Sequence, residues 1–349
     1  MPACTKAAGA NIQAALKKAA TWGTAVECGA NNGLLIRPDS LNETRDVLKD
    51  DSLGQYFAKD SDLTTRNAGG SIPMWLRYDG NEHLALALVM GTSGGAPVQQ
   101  GVTAAYKQTL AIADCIDGLF ATFAKNIRVN VDEYPSVKFG ALTLEGSVGQ
   151  PILATFEVQA SHREVNSVVN DDTTFANVTV LESQHRVLFG QGVFRMNAAS
   201  GGALSGSDVI KPSSFRLTLK RSLKGIVGLG TDSNSIDEPT SDGRPECMLS
   251  LKFDRHTDVA AFVAFAAATK QKMDITFTGA LIESTYYRTF KIELPSLKYT
   301  AVNTPTVEGI IPEEAEFECL ACDAAPTGMT ATQPFGVEII NERTTDLLA

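Results

Sequence analysis

The chain reads as mainly β with few helices, on three observations. From Asp274 to Cys322 apolar and polar residues alternate with period two. Ile275 and Phe277 stand against Thr276 and Thr278, Phe290, Ile292 and Leu294 against Thr289, Lys291 and Glu293, and Ala315, Phe317 and Cys319 against Glu314, Glu316 and Glu318. Successive strand side chains point to opposite faces, so this pattern describes a sheet packed on one face and wetted on the other. The same alternation recurs upstream, and Gly and Pro bound the runs, as at Pro295 and in Gly149-Gln150-Pro151 and Gly243-Arg244-Pro245.

Taken in order, residues 10–22 are predicted to form a short helix that stops at Trp22-Gly23-Thr24. The polar stretch 38–70, rich in Asp, Ser, Thr and Asn, reads as a loop far longer than an ordinary connection. A strand over 72–78 ends at Asp79-Gly80, an apolar helix follows from His83 to Met90 with Gly91 as breaker, and 94–101 is loop. From Leu119 to Ala160 strands return, with Ile152, Phe156 and Val158 on one face and Thr155, Glu157 and Gln159 on the other. Phe215, Leu217 and Leu219 then alternate with Arg216, Thr218 and Lys220. Cys247, Leu249, Leu251 and Phe253 alternate with Met248, Ser250, Lys252 and Asp254. Over 258–270 a helix is expected, with Asp258 as N-cap, Val259, Phe262, Val263 and Phe265 toward a core, and Lys270 and Lys272 suiting its dipole. The two Gly-x-Pro strand openings, at Gly149 and Gly243, suggest an internal duplication.

Composition narrows the function. With 349 residues, 44% apolar and 20% charged, the chain can bury a substantial core and is not wholly disordered. A formal net charge of −10 argues against gripping nucleic acid, because duplex binding is dominated by Lys and Arg replacing the counterions on phosphates. Lys6, Lys17 and Lys18 are not followed by an apolar signal region, and the longest strongly apolar run, Val259 to Ala268, is half a bilayer span. A chain made and kept in a cytoplasm, with no membrane partner, is the expectation. Cys4, Cys28, Cys115, Cys247, Cys319 and Cys322 are too sparse for a disulfide scaffold and read as free thiols.

Chemical motifs are weak. Cys319-Leu320-Ala321-Cys322 has no second metal-binding pair near it, and core thiols at a strand end explain it better. Gly91-Thr92-Ser93-Gly94-Gly95 lacks the lysine a phosphate loop needs and reads as a mobile loop. No Gly-x-Ser-x-Gly elbow occurs. His83, His162, His185 and His256 are scattered, and the adjacent pairs Asp132-Glu133 and Asp171-Asp172 read as solvated turns. No catalytic, cofactor or metal site is expected.

Several features, in order, resemble the tail tube (major tail) proteins of long-tailed bacteriophages of the siphophage type. They are Ala20-Thr21-Trp22-Gly23-Thr24, Tyr78-Asp79-Gly80 before the apolar helix, Met90-Gly91-Thr92, Glu133-Tyr134-Pro135-Ser136-Val137-Lys138, and Leu142-Thr143-Leu144. They continue through Ser214-Phe215-Arg216-Leu217-Thr218-Leu219, the Gly243-Arg244-Pro245 strand opening, Phe277-Thr278-Gly279 and Ile292-Glu293-Leu294-Pro295. The resemblance runs from about Thr21 to Ala321, and its specificity lies in order and spacing. It implies a tail-tube β-barrel or sandwich with a flanking α-helix, whose inner strands join those of neighbours into one barrel around a DNA channel. It also implies stacking of the rings into a virion tail assembled in the bacterial cytoplasm. The implied partners are the chain itself, a tape measure protein, tail terminator and tip proteins, and genomic DNA in transit without specific binding.

With that frame, 1–210 is expected to form a first tube half carrying the long loop 38–70, 211–322 a second half with the helix 258–270, and 323–349 a C-terminal arm. Two fused halves would close a ring with three copies, and a single tube-like half with six. Thr143, Glu145, Thr155, Glu157, Gln159, Ser250 and Asp254 are the expected channel lining, with Glu314, Glu316 and Glu318 as a second set that fits an outer solvated face equally well. Leu53, Tyr56 and Phe57 in the long loop and Phe335, Val337 and Ile339 in the arm are expected to contact other subunits, ordering only on assembly. The alternatives are another β-rich virion component, such as a decoration, capsid or tail-tip protein, and last a soluble enzyme or carbohydrate-binding β-domain. Hollow tubes of uniform width, closed or decorating assemblies, and a small species with a ligand pocket would tell the three apart.

Overall fold

A computed structural model describes residues 9, 12–54, 56–180, 185–227 and 235–349. The chain is mainly β, with few helices among the described residues. It opens with β1 (Gln13–Lys18), β2 (Gly33–Leu34), β3 (Asn42–Lys49) and β4 (Ser61–Trp75). Helix α1 (Glu82–Met90) follows, then β5 (Val98–Gln99), β6 (Tyr106–Ala111), β7 (Ala121–Asn126), β8 (Val131–Ser147), β9 (Leu153–Ala160), β10 (Glu164–Val165) and the four-residue helix α2 (Asp172–Phe175). Next come β11 (Gly192–Ala198), β12 (Val209–Ile210), β13 (Ser214–Lys220), the short pair β14 (Leu223–Lys224) and β15 (Thr240–Ser241), and β16 (Glu246–Phe253). Helix α3 (Ala260–Ala266), β17 (Gln271–Glu283), β18 (Tyr286–Asn303), β19 (Glu313–Cys319) and β20 (Gly336–Asn341) complete the order.

One pairing order occurs twice. In the first part β3, β4, β9, β8 and β7 are antiparallel neighbours in that sequence; in the second part β13, β16, β19, β18 and β17 are. Each set places a helix, α1 or α3, after its second strand in chain order and packs it on its own longest strand. The irregularities also match. The β8–β9 register slips between Phe139 and Ala141 and the β18–β19 register between Tyr299 and Ala301. The β7–β8 slip between Ala121 and Phe123 corresponds to the β17–β18 slip between Gln271 and Met273. The two sets are joined edge to edge, because β13 pairs with β8 from Ser214↔Ser147 to Lys220↔Ala141.

The inner faces share one core. Leu142, Leu144 and Phe156 of the first set, Leu217, Leu219, Leu249, Leu251 and Phe317 of the second, and the whole of α1 are buried in it. Phe194 sits among Phe189, Phe215 and Phe277 at centroid separations of 5.5, 5.6 and 6.0 Å, tying β11, β13 and β17 together. Gly91 closes α1 with φ 95°, a left-handed conformation that a side chain would strain. Arg221, just past β13, donates to the carbonyls of Val89 and Met90 at the end of that buried helix and of the neighbouring Ala113 at 2.7–2.8 Å, joining the Ala113 N–H that the Met90 carbonyl also accepts.

Several expectations are corrected. Residues 13–18 are the strand β1 rather than part of a helix; its ladder to β7 supplies six backbone partners, and tertiary pairing outweighs the helical preference of its alanines. The polar stretch 38–70 is largely the hairpin β3–β4, which both faces leave wet, so no alternation marks it. The segment 94–101 includes β5, and the strand expected over 72–78 ends at Trp75. Pro295 does not stop its strand: β18 runs through it where the β17 register shifts, a place where a missing N–H costs the ladder little. Helix α3 is short, and Val259, Phe262, Val263 and Phe265 face outward, 64%, 57%, 60% and 37% exposed. Its N-cap residue is Val259, although the Asp258 carboxylate still accepts from the Ala260 N–H. Lys272 is buried in β17, donating to the carbonyls of Gly201 and Thr327 instead of facing the helix end. Asp132 and Glu133 are buried in β8, bonded to Arg163 and Asn170 at 2.7 and 2.5 Å, and Asp171 caps α2.

The division of the chain also differs from the expected one. Strand β11, placed in the first half, pairs with β17 of the second set. Residues 323–349 are not an arm, since β20 pairs with β18 and β6, and Phe335, Val337 and Ile339 are at most 2% exposed. These three are core residues of the subunit and not contacts between subunits.

Two buried neighbours on α1 give a pH prediction. Burial pushes Glu82 up to about 7 and His83 down to about 3. An acid raised on folding loses its contribution as pH rises from its unfolded value near 4.5 through 7. A base lowered on folding loses its contribution as pH falls below its unfolded value near 6.5. Between pH 6.5 and 4.5 the two oppose each other. Glu82→Gln, which keeps an oxygen for the Arg77 N–H now held at 2.6 Å, should raise Tm at pH 8 and make it fall more steeply on acidification than in the unsubstituted chain. Parallel Tm curves for the two proteins from pH 8 to 5 would refute the assignment.

Candidate functional site

The most extensive feature is the outer face of the continuous sheet β4–β9–β8–β13–β16–β19–β18. Cross-strand register sets its residues in rows. One row runs Pro73, Thr155, Thr143, Thr218, Met248, Glu318, Lys298. The next runs Trp75, Leu153, Glu145, Arg216, Ser250, Glu316, Ala301, and a third joins Ser71, Glu157, Ala141, Lys220 and Glu246. Thr143, Glu145, Thr155, Glu157, Ser250, Glu314, Glu316 and Glu318 therefore share one face of one sheet, and the two sets of glutamates are not alternatives.

The repeated topology relates the two sets. Val158 opposes Phe139 as Phe317 opposes Tyr299, so Thr155, Glu157 and Gln159 on β9 hold the positions of Glu314, Glu316 and Glu318 on β19. Gln159 lies at the margin of the face, its amide donating to the Leu223 carbonyl at 3.3 Å. Asp254 falls past the end of β16, in a bend, and is not part of the sheet.

The charge on this face is mixed with an acidic surplus. Arg216 pairs with Glu145 at 3.3 Å and Lys252 with Glu314 at 2.6 Å. Among the described residues Glu157, Glu246, Glu316 and Glu318 make no ion pair, against Lys220 and Lys298 on the basic side. Glu246 and Lys298 were not among the expected residues; Glu246 lies one position before the run that starts at Cys247, whereas Lys298 reaches this face only because the register shift between Leu294 and Leu297 reverses the alternation of Thr289, Lys291 and Glu293.

The hairpin tip keeps its availability. Leu53, Tyr56 and Phe57 are 102%, 93% and 76% exposed, the two rings edge-on at 4.8 Å. The thiols Cys28, Cys115, Cys247, Cys319 and Cys322 are free, while Cys4 lies outside the described residues. Cys319 is buried opposite Cys247 across β16 and β19, and Cys322 donates its N–H to the Thr332 carbonyl at 2.8 Å. Among the described residues no cluster of three or more His, Cys, Asp or Glu is placed to hold a metal, and no helix is long and apolar enough to cross a membrane.

A sequence signal for the repeated topology was missed. Glu133-Tyr134-Pro135-Ser136-Val137-Lys138-Phe139 on β8 and Glu293-Leu294-Pro295-Ser296-Leu297-Lys298-Tyr299 on β18 are the same phrase, and the register slips place them at equivalent positions. The Gly-x-Pro openings instead precede β9 and β16, which hold different places in the pairing order.

In comparison with known proteins, a family model described as phage tail tube protein matches residues 9–320. No curated protein matches the chain.

Proposed function

This chain belongs to the phage tail tube protein family, and on that premise we propose that it polymerises into stacked rings forming the hollow conduit through which DNA leaves the virion. As a member of a structural family it is a component of the virion tail. Its assembly would take place in the host cytoplasm, with a tape measure protein inside and terminator and tip proteins at the ends.

The observation that carries this reading is the single sheet running through both repeats with one polar, surplus-acidic face. A wall for DNA in transit must not hold phosphates, and glutamates, threonines and serines leave few sites for counterion-releasing contacts. Thr143, Glu145, Thr155, Glu157, Gln159, Ser250, Glu314, Glu316 and Glu318 line the channel in this proposal, with Arg216 and Lys252 held in pairs. Two repeats per chain favour rings of three with pseudo-sixfold symmetry.

Negative-stain and cryo-electron microscopy of the purified chain at high concentration test this. Hollow tubes of uniform width with three chains per ring are expected. Six chains per ring would overturn the stoichiometry, and a small monodisperse species at every concentration would overturn the function.

A further inference from the structure

The chain contains one finished junction between its repeats and the two unfinished halves of another. At the finished one, β13 pairs with β8, and Arg221 beyond it caps α1, whose every residue is buried. The strand equivalent to β8 is β18, yet from Lys298 to Asn303 β18 pairs only with β19 among the described residues. The segment equivalent to β13 begins β3, which among the described residues pairs only with β4. The helix equivalent to α1 is α3, which exposes Phe262 and Val263.

We propose that the next copy of the chain completes this second junction. Its β3 adds to the free edge of β18, and its Arg45 reaches the C-terminal end of α3. This deepens the tube reading given above and rests on it. The equivalences fix the register. Glu43 opposes Ala68 as Leu219 opposes Cys247, and Ala68 and Ala160 stand where Cys247 and Cys319 stand, so Thr44 corresponds to Lys220 and Asn42 to Thr218. On the other side Ala141 and Thr143 correspond to Ala301 and Asn303. The β13–β8 pairs Lys220↔Ala141 and Thr218↔Thr143 then become Thr44↔Ala301 and Asn42↔Asn303 between copies.

The residue after that ladder repeats as well. Arg221 follows Lys220, and Arg45 follows Thr44. Among the described residues of one copy, the Arg45 side chain is held by Glu43 at 3.2 Å and is 42% exposed. An arginine suits both the negative end of a helix and its unsatisfied carbonyls. The contact is head-to-tail, so it propagates until the ring closes and leaves no sheet edge bare. The exposed aromatic face of α3 becomes covered where α1 is covered in the chain itself.

Paired cysteines test the register. In assembled full-length chains carrying Asn42→Cys and Asn303→Cys, oxidation should give disulfide-linked oligomers on non-reducing gels, ending in a covalent trimer. The off-register pair Asn42→Cys with Lys298→Cys should not cross-link. Phe262→Asp, a change at an exposed site, should leave Tm unchanged and reduce tube formation at least tenfold. Tubes that form without the Asn42–Asn303 cross-link, or that tolerate Phe262→Asp, would overturn this junction and leave the tube reading standing. Failure of the unsubstituted chain to polymerise at all would overturn both.

Discussion

Removal of residues 335–349 should abolish folding of the subunit rather than merely its polymerisation. Strand β20 fills the edge between β18 and β6, with Val337 opposite Ile292 and Leu110, and its loss would strip both of backbone partners. Phe335, Val337 and Ile339 are 0%, 1% and 2% exposed. At about 1.5–3 kcal/mol for each fully buried side chain, they contribute roughly 5–9 kcal/mol, which matches the whole net stability of about 5–15 kcal/mol of an ordinary domain. The truncated chain should show no cooperative melt by circular dichroism and should collect in the insoluble fraction. Substituting serine for Leu53, Tyr56 and Phe57 together should leave Tm within about 1 °C, because those side chains are already in water. A soluble truncated chain with an unchanged melt would show that β20 is dispensable and that residues 323–349 act as the detachable arm their sequence suggested.

How much of this was legible in the sequence depends on how each segment is wetted. Strands with one buried and one wet face announce themselves, and so β9, β13, β16 and β19 were read with their faces correctly sorted. The hairpin β3–β4 is wet on both sides, and its ladder is made by backbone atoms that every residue carries, so nothing in Asn42–Lys49 distinguishes it from a loop. In β1 both faces are buried, Ala14 and Leu16 in one apolar cluster and Ala15 in another, and such an unbroken run fits a helix as well as a strand. The apolar side of α3 pointed to a core in the sequence, but among the described residues of one copy Val259, Phe262 and Val263 stay more than half exposed. Phe335, Val337 and Ile339 were visible as anchors, while the owner of their partner surface, the same chain, is a matter of topology that local pattern does not encode. The repeat is written in the Glu-x-Pro-Ser-x-Lys phrase that β8 and β18 share, while the Gly-x-Pro openings mark strands that are not equivalent.

Reversing charge at Glu157 and Glu316 should leave tubes intact and make them hold DNA. The two occupy equivalent places on β9 and β19, both are exposed, and among the described residues neither is engaged in an ion pair, unlike Glu145 with Arg216 or Glu314 with Lys252. Replacing them with Lys therefore breaks no internal contact, and each substitution should change stability by no more than about 0.5 kcal/mol. In a ring the substituted positions recur at both repeats of every chain, so a band of ammonium groups would face the phosphates at each level of the channel. Each phosphate contact adds a dependence of about −0.9 in log K on log salt concentration, so retention should be strong in dilute buffer and should fade as salt rises. Particles carrying Glu157→Lys and Glu316→Lys should thus eject DNA at least tenfold more slowly at 50 mM salt and approach the unsubstituted rate at 500 mM. The double Gln variant separates trapping from simple loss of negative charge and should lie near the unsubstituted rate. Normal ejection at 50 mM salt by the Lys variant, or an assembled tube with both side chains on its outer surface, would show that this sheet faces away from the DNA.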